Sequence, residues 1–417
     1  MTVATNLAGV TVEIGFGVNA VGGPYFVLDD PVKGKLDDVT YLLAPDTVFV
    51  DVTADVASVS IKRGRERELD EYATGTASVV FNDNDRTFDP SYSGSPYAGQ
   101  ITPMRRINIR SGGNYLFAGW VDDWEVVYEP GDKLSRVTAD CVDAFAILAN
   151  QQLAEIAPSF SGDLSGVRIT RVLDRAEVAF PAARAIDAGN TTLGATTLGA
   201  NALSYLQQCA RAEAGFLFVS AEGTLTFRNR LAVLNVMASA VFSDNRAAGV
   251  PYMMITQRSA SDLLYTRVTG ESETTSNEKT AVAPTATTDN FLIRTLALGT
   301  LFTLDDTQTQ SIVDYYLGRF STIEVRFHQA TVNMAAASAV EVAAVTSLDL
   351  SDVVTVARSP MGVGAMISRL SIIDGISHRI GHGKWLMDLA FANADTRAFL
   401  TLDDAVLGVL DSYRLAF

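Results

Sequence analysis

Cysteine and histidine are scarce in this chain: 417 residues hold two of the first and three of the second. So few cysteines exclude a disulfide framework of the kind that staples small secreted domains. Cys141 and Cys209 both lie in helix-like apolar patterns, DCVDAFAILA and LSYLQQCARA, where a buried free thiol is the expected state. Long apolar runs are missing as well. No window of about 18 apolar residues exists, so the sequence reads as having no membrane span. The start, MTVATNLAGVTVEIGFGV, lacks the basic opening and apolar core of a signal peptide, and the chain reads as made and folded in a cytoplasm. Basic residues are outnumbered, 32 Lys and Arg against 48 Asp and Glu, for a net charge of −16. Tight wrapping of DNA or RNA needs cations to neutralise phosphates, so that class is excluded. An acidic wall past which DNA slides is not excluded.

Hydrophobic residues make up 48% and charged ones 19%, a globular balance with length for about two to four domains. Over 1–60, short runs alternate apolar and polar (TVEIGFGV, PYFVLDD, TVFVDVT, VASVSIK), as half-buried strands do. TASVVFND, RRINIRS and the pair NYLFAGWVDDWEVVYEPGDKLSRVTADCVD continue the pattern, with EPGD as the turn of the pair. DAFAILANQQLA then switches to a helical period with Phe145, Leu148 and Ala149 inward. Residues 1–145 thus read as one antiparallel β unit closed by a short helix.

From about 150 to 232 the pattern is α+β. GVRITRVLDRAEV is a helix with Ile169, Val172 and Leu173 inward. The tandem TTLGA at 191–195 and 196–200 reads as an extended loop or paired edge. ALSYLQQCARAEAG is a helix, with Leu203, Leu206 and Ala210 inward and Gly215 as its stop. GFLFVSAEGTLTFRNR is a hairpin turning at Glu222–Gly223. Residues 271–289 read as a long loop or hairpin tip, and TQTQSIVDYYLGRF as a helix capped by Asp306 or Thr307. Its stripe is Ile312, Val313, Tyr316, Leu317 and Phe320. Four further runs, TIEVRFHQATVNM, SDVVTVARS, AMISRLSIIDGISHRIG and KWLMDLAFANA, are strands.

Candidate sites fail one by one. SHRIGH spaces His378 and His382 as on a zinc helix, but Arg379 stands where a zincin needs its Glu, and glycines in a strand pattern surround it. His328 is alone. NDNDRTFDP offers Asp83, Asn84, Asp85 and Asp89. A calcium loop counted from Asp83 meets Thr87 at the third ligand position and no Gly after it. The run fits a strand end with Asx turns. In KRGRERELDEY the cations stand beside Glu66, Glu68, Asp70 and Glu71, so the charge is expected to cancel locally. Asp122 and Asp123 in WVDDW read as the solvent-facing bend of a strand, with Trp120 and Trp124 buried. GFGVNAVGG is a loop, and no nucleophile elbow, Walker A or dinucleotide fingerprint occurs. No catalytic, cofactor-binding or metal-ligating residue is assigned, and the chain reads as no enzyme.

One ordered set of motifs stands out over 51–150: RGR…LD, a G-T-A strand, NDNDRTFDP followed by SPY, and GWVDDW. In that order they resemble the minor tail proteins of long non-contractile-tailed phages, especially those infecting actinobacteria. ALSYLQQCARAEAGFLFVSAEGTLTFRNR, TQSIVDYYLGRF, SLDLSDVVTV and LDDAVLGVLDSYRLAF are similar to later parts of the tail-hub family. Ser351 departs from it, standing where a Gly precedes the Asp. The resemblance implies a mainly β fold with an α+β insertion. Its parts would be a first β-barrel-like, tail-tube-related domain over 1–150 and a small α+β domain over 151–232. A second barrel-like domain over 233–395, with one helix near 307–320, and a tail over 396–417 would follow. It further implies a homotrimer at the virion's tail tip, touching the tube ring above, further minor tail or fibre proteins below, and the tape-measure protein. Genome DNA would be met only in transit, and no cofactor is implied. The alternative is a tip protein that binds a cell-wall glycan; exposed aromatics would mark it, whereas Trp120, Trp124 and Trp385 sit in core-like strand patterns.

Overall fold

A computed structural model describes residues 7–16, 49–128, 135–178, 180, 182–234, 236–259, 261–322, 325–362 and 364–394. The readings of PYFVLDD, most of GFGVNAVGG, the EPGD turn and the 396–417 tail lie outside the described residues. The fold is mainly β. Seven strands come first: β1 Val10–Gly15, β2 Phe49–Asp51, β3 Val56–Gly64, β4 Ala73–Asn82, β5 Arg105–Ser111, β6 Asn114–Val127 and β7 Arg136–Val142. They pair antiparallel in the order β3-β4-β7-β6-β5-β1-β2. Only Val52–Asp55 separates the outermost strands β2 and β3, so their ends stand within about 18 Å of each other. No ring of backbone bonds closes between β2 and β3 among the described residues, and only their short connection keeps these ends near each other.

The second set is mixed, with Val241–Ser243 running parallel to both of its neighbours. Its order is Val250–Pro251, Val241–Ser243, Val353–Arg358, Ile367–Gly381, Lys384–Asn393, Arg326–Asn333 and Met254–Arg258. Pro251 and Met254 end opposite edges but are joined by Tyr252 and Met253 alone, a span of about 11 Å at most. The Tyr252 hydroxyl donates to Ala357 O on one flank and Met253 N to Thr331 O on the other. One side-chain and one backbone bond therefore tie this short connection to both flanks.

One strand fuses the two sets. The first half of Ile367–Gly381 pairs with Val353–Arg358, and its second half, Gly375–Gly381, pairs with β3. A bulge between Ile373 and Gly375 separates the halves. β3 ends there in Gly64 at φ +100°, where a Cβ would lie 2.2 Å from Asp374 O; only glycine fits.

The α+β block places helices α1 Ala144–Asn150, α2 Ser165–Leu173 and α3 Ala202–Glu213 with the hairpin Phe216–Val219 and Leu225–Arg228. Gly223 takes φ +86° in that hairpin, as its turn requires. The residue in left-handed conformation after α3 is Ala214, whereas Gly215 serves close approach, since a Cβ there would meet Arg228 O at 2.8 Å. In α1 the buried residues are Ala144, Phe145 and Leu148; Ala149 faces solvent. Cys141 lies on strand β7, not in a helix, because its alternation continues to Val142; both cysteines are buried and free. The TTLGA tandem is two short edges: Thr192–Leu193 pairs with Asp163–Leu164, and Thr196–Leu198 with Ile156–Ser159.

Residues 267–320 form a smaller unit. The strands Arg267–Ser272, Glu278–Val282 and Thr295–Leu301 make a sheet of their own, so 271–289 is a hairpin followed by α4 Thr285–Phe291. Helix α5, Asp306–Phe320, packs on it and is capped by Asp305, whose carboxylate accepts from Thr307 N and Gln308 N. That cap is one residue earlier than the sequence reading. A further helix, α6 Ala339–Thr346, is set by a Ser338–Glu341 capping box that the reading passed over.

Candidate functional site at a buried charged junction

The segment 63–72, the end of β3 and the loop to β4, lies where these parts meet. Its charges do not cancel locally. Only Lys62–Glu66 pairs within the run, at an exposed 2.6 Å. Arg63 reaches Asp349 at 2.8 Å, and the other oxygen of Asp349 accepts from Ala221 N. Arg65 reaches Asp374 at 3.0 Å, and the Tyr72 hydroxyl donates to the same oxygen. Glu68 accepts from Arg319 on α5 at 2.6 Å and from Arg326 at 3.1 Å, while Arg319 also donates to Asn393 O. Local order in the sequence gave no hint of this, because apart from Lys62–Glu66 every ion-pair partner lies more than 250 residues away.

Burial sets the electrostatics. Burial pushes the Asp374 carboxyl above its usual range, against the pull of the Arg65 guanidinium. Burial, with Asp374 alongside, also pushes the Tyr72 hydroxyl well up. Asp143, the cap of α1, is pushed up to about 7 by burial, although Phe145 N and Gly75 N both donate to it. Such pairs contribute little net stability, but removing one partner strands a buried charge at a cost of about 3–5 kcal/mol. The cluster is a clasp. Every carboxylate in it is already held by guanidinium, phenol or backbone donors.

Voids flank the clasp. A cavity of about 570 Å³ lies between Glu68, Asp262, Arg326, His328 and Phe391, and a second of about 190 Å³ between Leu69, Arg211, Leu296 and Tyr316. The 63–72 loop thus touches the 267–320 unit through a direct, buried Glu68–Arg319 ion pair with a cavity on either side.

The other candidates separate. Asp83 accepts from Phe88 N at 3.0 Å, closing a five-residue loop, and Asp89 accepts from Ser91 N in an Asx turn. Asp89 accepts from Arg86, Ser91 and Tyr128. Burial pushes the Asp89 carboxyl up, but those bonds outweigh it and hold it well below the usual range. Asp85 is exposed, and among the described residues no three His, Cys, Asp or Glu side chains are placed to hold a metal. The turn instead drives Phe88 and, through SPY, Tyr97 into the core: Phe81–Phe88 stack at 4.3 Å and Phe16–Tyr97 at 4.1 Å. His378 is buried on a strand and accepts from Trp385 Nε1 at 3.2 Å; burial lowers it to about 3. Trp120, Trp124 and Trp385 are all buried, and Asp122 and Asp123 face solvent at a bulge in β6. Sequence reasoning missed Arg168. It is fully buried on α2 and donates to Asp163, Thr196, Tyr205 and the carbonyls of Phe160 and Gly194, pinning the TTLGA edges. A lone Arg on the apolar face of an otherwise regular helix was the available signal.

No family model matches the sequence, and no curated protein matches it. Solved structures do. The 43 kDa tail protein of prophage MuSo2 from Shewanella oneidensis is similar over 93% of this chain and 97% of its own, with a TM-score of 0.56 at 12% identity. A tail protein from Neisseria meningitidis is similar over 92% and 97%, with a TM-score of 0.58 at 12% identity. At that identity the likeness establishes a shared fold, and the chain carries the fold of these tail proteins along nearly its whole length.

Proposed function

We propose that the chain is a structural virion protein, a hub or minor tail component at the tip of a long non-contractile phage tail. In this role it self-associates as a homotrimer, joins the tube above to fibres or receptor-binding proteins below, and lines the path of DNA and tape-measure protein. The observation that carries the proposal is the fold likeness to two tail proteins over more than nine-tenths of the chain. The two barrel-like strand sets fused through Ile367–Gly381 support it, since a rigid pair of walls suits a ring component. The net charge of −16 fits a wall that repels phosphate. Division into domains at about 150 and 232 belongs to the same proposal, and so does the absence of catalysis. Gold-labelled antibody against the chain is expected to mark the distal end of tails in virion micrographs. Labelled particles without tail signal, or a clearing band on a peptidoglycan zymogram, would overturn it.

A further inference from the structure

Two solvent faces carry opposite charge that enters no ion pair among the described residues. On the outer face of β6 and β7, Asp123 stands directly opposite Asp140 in the antiparallel register. Both are exposed, and Asp122 and Glu125 beside them are exposed too. Like charges in directly opposed positions destabilise a ladder. None of the ion pairs among the described residues involves these four carboxylates. One cation, Arg136, stands further along the face opposite Val127, and Val127 itself is 47% exposed.

The second face is the hairpin between Val353–Arg358 and Ile367–Gly381. Arg358 and Arg369 are exposed at its base and enter no ion pair among the described residues. Met361 at the tip is fully exposed (101%), and Met366 is 59% exposed. Asp244 lies close by, with its carboxylate accepting from Ser359 N. Exposed methionines flanked by arginines suit an adaptable contact with an acidic, part-apolar surface.

The two faces cannot meet within one chain. Arg379 is level with the Asp140–Asp123 row through Ser60 and Ser78, and Arg369 lies ten residues back along the same strand, about 30 Å away. We infer that the acidic β6–β7 face of one copy receives the Arg358–Arg369 hairpin of another, in a heterologous, head-to-tail contact. Each copy carries one of each face, so the contact propagates and closes into a ring or runs on. The inference deepens the self-association proposed above and takes only its setting from it.

Neutralising one face at a time tests it. The full chain, Asp123→Asn/Asp140→Asn and Arg358→Gln/Arg369→Gln are compared by sedimentation velocity at low salt, with circular dichroism to verify folding. The unaltered chain is expected to associate, and to do so less as salt rises. Each variant alone is expected to associate at least about tenfold more weakly. An equimolar mixture, holding one intact face of each kind, is expected to stop at a heterodimer. If the unaltered chain associates and both variants do so equally well, the assigned faces are wrong while self-association stands. If the variants are monomeric but their mixture forms no dimer, the head-to-tail pairing is wrong. A monomeric unaltered chain overturns both.

Discussion

The first strand set and the 267–320 unit differ in how they are held. The first set has a stacked aromatic interior in which Phe81, Phe88, Phe16, Tyr97 and Trp124 lie within 6.4 Å of a neighbouring ring. Its ladder runs unbroken into the second set through β3. The 267–320 unit has a core of its own, built from Val268, Ala281, Leu298, Leu301, Ile312 and Val313. It meets the rest through the Glu68 clasp, the bond from Arg319 to Asn393 O, backbone bonds from Gly194 N to Phe302 O and from Leu304 N to Thr192 O, and the Tyr205–Phe302 ring contact at 5.4 Å. A small separate core with largely polar, cavity-flanked contacts is the condition for local opening below the global unfolding energy. The difference teaches that one chain can carry a frame with a continuous ladder beside a unit with a core of its own.

Four measurements bear on that contrast. Phe88→Ala removes a fully buried ring and is expected to cost the frame about 3–5 kcal/mol, read as a fall in the urea midpoint. A loss confined to one segment would break the comparison. Glu68→Ala leaves Arg319 and Arg326 without their carboxylate and is expected to cost about 3 kcal/mol. Its effect should concentrate in amide exchange of α5, with β4 to β7 unchanged; uniform acceleration would show the unit is not separable. The pH profile comes next. The folded Asp143 carboxyl lies near 7, above its unfolded value, so its contribution is full at low pH and is lost as pH rises toward 7. Asp143→Asn is expected to flatten that part of the profile, measured as the pH dependence of Tm between about 4 and 7. The smallest effect is a gain. Ser351 is held at φ +65° with its buried Oγ unpartnered, so Ser351→Gly is expected to raise stability by about 1 kcal/mol. A fall in Tm would refute that account of the departure at Ser351.

Strand alternation made most of the frame legible: TVEIGFGV, VASVSIK, TASVVFND and RRINIRS each hold a strand. Local chemistry exposed the Gly223 turn and the Asx ends of NDNDRTFDP for the same reason, since their bonds close within a few residues. The junction was not legible. Glu68 and Arg319 are 251 residues apart, and a carboxylate with cations for neighbours in sequence reads as neutralised there. Helix α4 was hidden because TATTDNF has no apolar stripe, and none of its side chains is buried. The role of Gly64 was likewise hidden, because it depends on Asp374, 310 positions further along the chain.

The strand Ile367–Gly381 has a mechanical consequence. Its bonds to β3 run across the strand axis, so tension that draws the two walls apart along that axis loads the whole row from Gly375 to Gly381 at once. Such a seam yields by sliding, all bonds together, and not by peeling one after another. The chain would then transmit a pull from one wall to the other with little give until the seam fails.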